Sequence, residues 1–128
     1  MSDFKHPFVH IEFSSNDPAK SAEFYGSLFG WPMHEIADFN YWTFQTAEGQ
    51  GGGFNEVGNN NGSLNVKPGD VVVYVDTDDI ERDLAKAEEL GGTLVAAKTE
   101  IPGIGWYAIF RDPTDNLVGL YTNLQRAS

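Results

Sequence analysis

The sequence repeats its own pattern after 62 residues, and this repeat constrains the fold more than any other feature. Shifted by that distance, residues of one class in the first half fall on residues of the same class in the second. The matched pairs are Ile11 with Val73, Phe13 with Val75, Asp17 with Asp79, Ala22 with Leu84, Leu28 with Leu90 and Gly30 with Gly92. A repeat of this length in a 128-residue chain indicates duplication of one structural unit.

Each repeat begins with a strand that leads into a helix. Residues 8–13 alternate between apolar and polar side chains, which predicts a strand. Asp17 followed by Pro18 is typical of the first residues of a helix. The second repeat has a strand over residues 71–75 and a helix from Ile80. Further strands are predicted at residues 41–46, 51–57, 93–96, 106–110 and 117–121.

These elements predict an α+β fold, a single domain over residues 1–128 made of two βαβββ modules. Module one spans about residues 6–58 and module two about residues 70–124. The segment between them, about 58–69, is rich in Asn and Gly and is interpreted as a linker. Each module has a sheet with one unburied face, so we expect the two curved mixed sheets to pair around a cavity.

Composition excludes several classes of function. The net charge is −11, with 19 acidic and 8 basic residues, which argues against nucleic acid and against anionic membrane surfaces as partners. The chain has no cysteine, so disulfides, thiolate metal sites and cysteine nucleophiles are excluded. No signal pattern and no apolar run near the ~20 residues of a membrane span are present, and a cytoplasmic location is expected.

His10 and Glu12 are the strongest candidates for a functional pair. They lie two residues apart on a predicted strand, so both side chains point to the same face. That face should be the cavity, because Val9, Ile11 and Phe13 would face the helix. A catalytic pair would use His10 as the proton-transfer group, with Glu12 fixing its tautomer or pKa. A polar pair that only fixes the strand is the alternative interpretation.

Aromatic side chains on strands are candidates for ligand contacts. Tyr74 and Tyr121 share the strand parity of Val72 and Gly119, which predicts that they face the cavity. Trp42 is a further ligand-binding candidate from its own strand.

Several other polar or glycine-rich positions are given structural interpretations. His6 and His34 are expected in loops or at the surface. The glycines at 51–53 are expected to form a bulge or a flexible edge. The alternative is that they bring the backbone close to a ligand. Arg111 and Asp112 are interpreted as an ion pair or as the start of a turn over residues 112–116.

The residues resemble the vicinal-oxygen-chelate superfamily, which includes glyoxalase I, bleomycin-resistance proteins, extradiol dioxygenases and methylmalonyl-CoA epimerase. Within it, the chain is similar to lactoylglutathione-lyase-related proteins. The resemblance covers both halves and implies the glyoxalase/bleomycin-resistance fold and a tendency to form homodimers. It rests on residues 9–12, 17–31, 90–92, 111–116 and 119–121.

The resemblance also implies where a metal would bind. Metal-dependent members typically supply one His or carboxylate ligand from the first and last strand of each module. His10 matches the first of these positions, but Val72 and Gly119 fall on two others and cannot ligate. Residues 52–54 fall on the fourth. We therefore expect no metal cofactor.

Three functions stay open at this point. The first is a protein that binds a small organic ligand and acts as an isomerase or lyase next to a carbonyl, with His10 and Glu12 catalytic and Trp42, Tyr74 and Tyr121 binding the ligand. The second is a non-catalytic, ligand-sequestering protein of the drug-resistance type. The third is a metal-dependent enzyme whose displaced site would use His10, Glu12 and a further donor, Glu56, with Asn55 as the other side chain that could stand in.

Overall fold

The computed structural model describes residues 5–36, 41–48, 50–57 and 66–124. The chain divides into two compact units, one over residues 9–72 and one formed by residues 73–128 with the segment up to Phe8. The elements in chain order are β1 (Phe8–Ser15), α1 (Pro18–Phe29), β2 (Met33–Ile36), β3 (Tyr41–Ala47), β4 (Gln50–Glu56), β5 (Val71–Asp76), α2 (Ile80–Glu89), β6 (Thr93–Ile101), β7 (Gly105–Arg111) and β8 (Leu117–Asn123).

Helix α1 begins and ends at the residues that the sequence indicated. The Asp17 side chain accepts a hydrogen bond from the Lys20 backbone N–H at 3.3 Å, and Pro18 occupies the first turn. Gly30 ends the helix in the left-handed conformation, with φ of 74°, and its N–H donates to the Gly26 carbonyl at 2.9 Å. Glycine adopts this conformation without the steric cost of a Cβ atom, so the helix ends here.

The first module has a four-stranded sheet in the order β2-β3-β4-β1. Strand β1 runs parallel to β4, with Glu12 opposite Gly53, and the other neighbours are antiparallel. One face is covered by α1 and holds the core, in which Phe54 is fully buried and Phe13 stacks on Tyr25 at 5.5 Å between ring centroids. Because side chains alternate along a strand, His10 and Glu12 lie on the opposite face from Phe13.

The second module repeats this arrangement. Its strand order is β5-β8-β7-β6, with β5 parallel to β8 and Tyr74 opposite Gly119. The core beside α2 is built on buried Ile80, Ala108 and Leu120. The predicted α+β fold of two βαβββ modules is thus confirmed. Neither helix in the described part of the chain is long and apolar enough to cross a membrane.

Two strands differ from the sequence prediction. Strand β2 was not predicted, because it is only four residues long and its two central residues, His34 and Glu35, are both exposed. Strand β6 was predicted to end at residue 96 but continues to Ile101. The added part includes exposed Lys98 and Glu100, and polar residues of this kind suit the edge position of β6 in its sheet.

The turn between β7 and β8 starts at Asp112, as one of the two interpretations predicted. Its Oδ1 accepts hydrogen bonds from the backbone N–H groups of Asn116 at 3.0 Å and Thr114 at 2.9 Å. These bonds, that of Asn116 foremost, lower the pKa of the Asp112 carboxyl to about 2. Arg111 donates to the Asp115 carbonyl at 2.9 Å instead of pairing with Asp112.

Candidate functional site

His10 and Glu12 are joined by a third residue, Tyr41, which enters from β3. The Tyr41 hydroxyl donates a hydrogen bond to Glu12 Oε2 at 2.7 Å. His10 Nε2 lies 3.0 Å from the same hydroxyl oxygen. The direct distance from His10 Nε2 to Glu12 Oε2 is 3.9 Å, too long for a hydrogen bond. Tyr41 is therefore the link in a chain that runs Glu12–Tyr41–His10.

The geometry of this chain fixes which nitrogen of His10 carries a proton. A phenol has one proton to donate, and Tyr41 gives it to Glu12. The contact between Tyr41 and His10 must then use the N–H of the imidazole as donor. In a neutral ring this places the proton on Nε2 and leaves the lone pair on Nδ1.

Burial controls the charge state of His10 in this hydrogen-bonded chain. The Glu12 residue is 9% exposed, while 31% of the His10 side chain stays accessible. Desolvation disfavours the imidazolium and lowers the pKa of His10 to about 4, so the ring is neutral near pH 7. Glu12 is thus connected to His10 through the Tyr41 hydroxyl, and the catalytic role of the pair stays a prediction.

Gly53 on β4 makes room for Tyr41. A Cβ atom at this position would overlap the hydroxyl and ring carbons of Tyr41. The glycines at 51–53 were expected to form a bulge or a flexible edge. A register shift does occur in the pairing with β3 at Gly51, between Gln45 and Ala47, but the glycines form no edge. They lie on β4, which pairs with β3 on one side and β1 on the other. Close approach of neighbouring groups, rather than flexibility, explains them.

Tyr74 and Tyr121 lie on one face of the second module, as the strand parity predicted. Tyr74 is opposite Gly119, and a Cβ atom on Gly119 would overlap the Tyr74 ring. Tyr121 pairs across the sheet with Tyr107, so a third tyrosine shares this face. Burial, with a contribution from the charge of Asp76, raises the pKa of Tyr121. Contact of these rings with a ligand stays a prediction.

From the sequence, Trp42 was expected in the same ligand site as His10 and Glu12. In the structure its side chain lies on the other face of the sheet. It lies directly opposite Phe54 on β4 and packs against the core beside α1. Consecutive strand residues point to opposite faces, so Tyr41 takes the face of Glu12 and Trp42 the other. Both are aromatic, and the sequence pattern did not indicate which of the two faces the polar pair.

His6 and His34 are the two other histidines of the sequence. His6 is exposed, and its Nδ1 is 2.8 Å from the Asp76 carbonyl oxygen. His34 is exposed as expected, but it lies on β2 rather than in a loop.

The residues that the structure describes do not fit the metal site that the superfamily implies. Across the described residues, no three His, Cys, Asp or Glu side chains come together where they could hold a metal ion. Glu56 pairs with Ser15, two residues along β4 from Phe54, so it lies on the opposite face from Glu12. Asn55 has the parity of Gly53 and shares the face of Glu12. His10 and Glu12 are then the described His or carboxylate side chains brought together on this face, with the Tyr41 hydroxyl between them and Asn55 as a further polar side chain.

Comparison with known proteins gives one family and a common fold. A family model described as a glyoxalase-like domain matches residues 10–121. A search of curated protein sequences finds no match.

Solved structures match along nearly the whole chain. A glyoxalase/bleomycin resistance protein/dioxygenase superfamily member from Vibrio splendidus 12B01 is 18% identical over 91% of this chain and 98% of its own, with a TM-score of 0.63. A Streptomyces coelicolor methylmalonyl-CoA epimerase variant in complex with 2-nitronate-propionyl-CoA is 14% identical over 94% and 99%, with a TM-score of 0.64. A Legionella pneumophila chain described as an NAD-dependent benzaldehyde dehydrogenase is 16% identical over 91% and 99%, with a TM-score of 0.66. At these identities the likeness establishes the glyoxalase/bleomycin-resistance fold.

Proposed function

The chain belongs to the glyoxalase-like domain family, and we propose that it binds a small organic molecule and moves a proton on the carbon next to a carbonyl group, as an isomerase or lyase. The family expected from the sequence is confirmed, and its fold hosts many chemistries, so the activity must be argued from the site. The observation that carries the proposal is the hydrogen-bonded chain Glu12–Tyr41–His10, with links of 2.7 and 3.0 Å.

The hydrogen-bonded chain Glu12–Tyr41–His10 provides a path for one proton. His10 Nδ1, which holds the lone pair, accepts the proton from the substrate carbon, and the adjacent carbonyl takes up the electron pair as an enolate. The Nε2 proton then passes to the Tyr41 oxygen while the Tyr41 proton passes to Glu12. His10 and Tyr41 are neutral again, and Glu12 has become a carboxylic acid. Reversal of these steps returns the proton to the substrate.

Partial burial makes this path useful. With a pKa of about 4, imidazole alone is a weak base at neutral pH. Transfer through Tyr41 moves the proton to Glu12, so no imidazolium has to persist in a site that disfavours its charge. The accessible part of the His10 side chain gives the ligand an approach to the ring.

Among the described residues no three His, Asp or Glu side chains gather on this face, and the proposed path runs through side chains alone. Tyr74 and Tyr121 are proposed as ligand contacts, supported by their shared face in the second module. Trp42 is left out because it packs on the helix-covered face of its sheet. A homodimer is proposed because superfamily members often form one, and a cytoplasmic location is proposed as expected from the sequence.

Deuterium incorporation tests the proposed function. The probes are methylmalonyl-CoA, which one structural neighbour is named for, and the hemithioacetal of methylglyoxal and glutathione. In D₂O we expect the protein to catalyse exchange of a carbon-bound proton in at least one of them, followed by NMR, and the His10→Ala/Glu12→Ala variant to lose it.

Two results would contradict this proposal in favour of the alternatives. Binding of a probe by calorimetry without any exchange indicates the ligand-sequestering function. Exchange that disappears after EDTA treatment and returns with Mn²⁺ or Zn²⁺ indicates the metal-dependent enzyme with a displaced site.

A further inference from the structure

Strand β4 carries three consecutive glycines between two neighbouring strands, and each excludes a side chain for a different reason. A Cβ atom on Gly51 would overlap the backbone of Phe44, and one on Gly52 would overlap the backbone of Ile11. For a Cβ atom on Gly53 the three nearest atoms all belong to the Tyr41 side chain, with the hydroxyl oxygen nearest. Gly53 therefore differs from the other two glycines, because the space that its side chain would fill holds the Tyr41 hydroxyl, which joins Glu12 and His10.

We infer that Gly53 is a positioning residue of the proposed site: because it has no side chain, the Tyr41 ring lies against the β4 backbone and its hydroxyl reaches both Glu12 and His10. The inference rests on the proposed function only for its effect on activity. The resemblance placed residues 52–54 at a metal-ligand position, and the inference gives Gly53 a different role that the family match does not assign.

The second module supports the same interpretation. Glu12 lies opposite Gly53, and Tyr74 lies opposite Gly119, in the same parallel pairing of first and last strand. In both modules a tyrosine fills the space that a side chain on this glycine would take. The source differs, since Tyr41 comes from β3 and Tyr74 from β5. Occupation of this space by a tyrosine therefore occurs in each half of the chain.

The geometry makes the requirement strict. A methyl group at position 53 needs about 3.4 Å or more from the Tyr41 oxygen, so the hydroxyl has to move by about 1 Å or more. Hydrogen bonds of 2.7 and 3.0 Å tolerate only a few tenths of an ångström before they weaken steeply. Both links of the chain should therefore break together in Gly53→Ala.

The test uses protein labelled with ¹³C at the Cζ carbon of tyrosine, since this chemical shift reports hydrogen bonding of the phenol. Tyr41→Phe assigns the Tyr41 signal. In Gly53→Ala we expect that signal to move to the position of a solvent-bonded tyrosine. In the control Gly26→Ala it should stay in place, because a Cβ atom on this α1 glycine meets Met33 at 3.5 Å, an ordinary contact distance. An unmoved signal in Gly53→Ala, or an equal shift in both variants, overturns the inference.

Two further measurements keep the test decisive. If Gly53→Ala folds poorly, the change is made again in Tyr41→Ala, where the overlapping ring is absent and the alanine should cost little further stability; an equal loss in both backgrounds contradicts the inference. In the exchange assay Gly53→Ala should lose at least 10-fold in rate and Gly26→Ala less than 3-fold. Wild-type protein without any exchange would refute the proposed function, while the Cζ signal still decides the role of Gly53.

Discussion

Tyr41→Phe is expected to lower the rate of substrate proton exchange by about 100-fold to 10,000-fold, the range typical of a lost proton-transfer group. Phenylalanine keeps the ring against Gly53 but removes the oxygen that lies 2.7 Å from Glu12 and 3.0 Å from His10. The proton then has no route from the imidazole to the carboxylate. Ligand affinity should change much less than the rate, because the shape of the site is kept.

The matched control for this change is Tyr25→Phe. Tyr25 is half-buried and stacks on Phe13 at the face covered by α1, opposite to the face of Glu12. Removal of its hydroxyl should leave the exchange rate within about 3-fold of the wild type. Wild-type exchange by Tyr41→Phe would mean that the hydrogen-bonded chain carries no proton.

The second large effect is a pH dependence of folding stability that belongs to His10. The pKa of this residue falls from its ordinary value of 6.5 to about 4 in the folded protein. Between these values the unfolded chain binds the additional proton, so the free energy of unfolding falls as the pH drops from 6.5 to 4. Because the side chain is 31% exposed, solvent screening reduces the expected loss to about 2–3 kcal/mol.

Replacement of His10 by Gln should remove this part of the pH dependence. Urea unfolding of wild type and His10→Gln at pH 4 to 7 measures it as the difference between the two stability profiles. His34→Gln is the control, because His34 on β2 stays exposed in the folded protein, whereas His10 is largely buried. Parallel profiles for wild type and His10→Gln would show that His10 keeps an ordinary pKa in the folded state.

Local signals in the sequence were sufficient for much of the fold. Asp17 and Pro18 begin α1 and Gly30 ends it, because capping and left-handed geometry depend on a few adjacent residues. The repeat predicted both modules and the parity that sets Tyr74 beside Gly119. Strand β2 was missed because four residues with an exposed centre carry no alternation.

The site was predicted only in part, and the reason is tertiary. His10 and Glu12 are two apart on one strand, so their shared face follows from the sequence. Tyr41 is 29 residues from Glu12 and reaches it through the pairing of β3, β4 and β1. Its role depends on the register of that sheet, which decides whether Tyr41 or Trp42 meets the polar pair. The space at Gly53 likewise exists only in the assembled sheet.

The most direct test of the account is the rate of deuterium incorporation by Glu12→Gln beside that of the wild type, with probe binding measured on both. Glutamine has the size of Glu12 and can accept the hydrogen bond from Tyr41, but its amide cannot take up the relayed proton. If Glu12–Tyr41–His10 is a proton path, Glu12→Gln binds the probe with similar affinity and loses at least 100-fold in exchange rate. Exchange at the wild-type rate in Glu12→Gln would contradict the account.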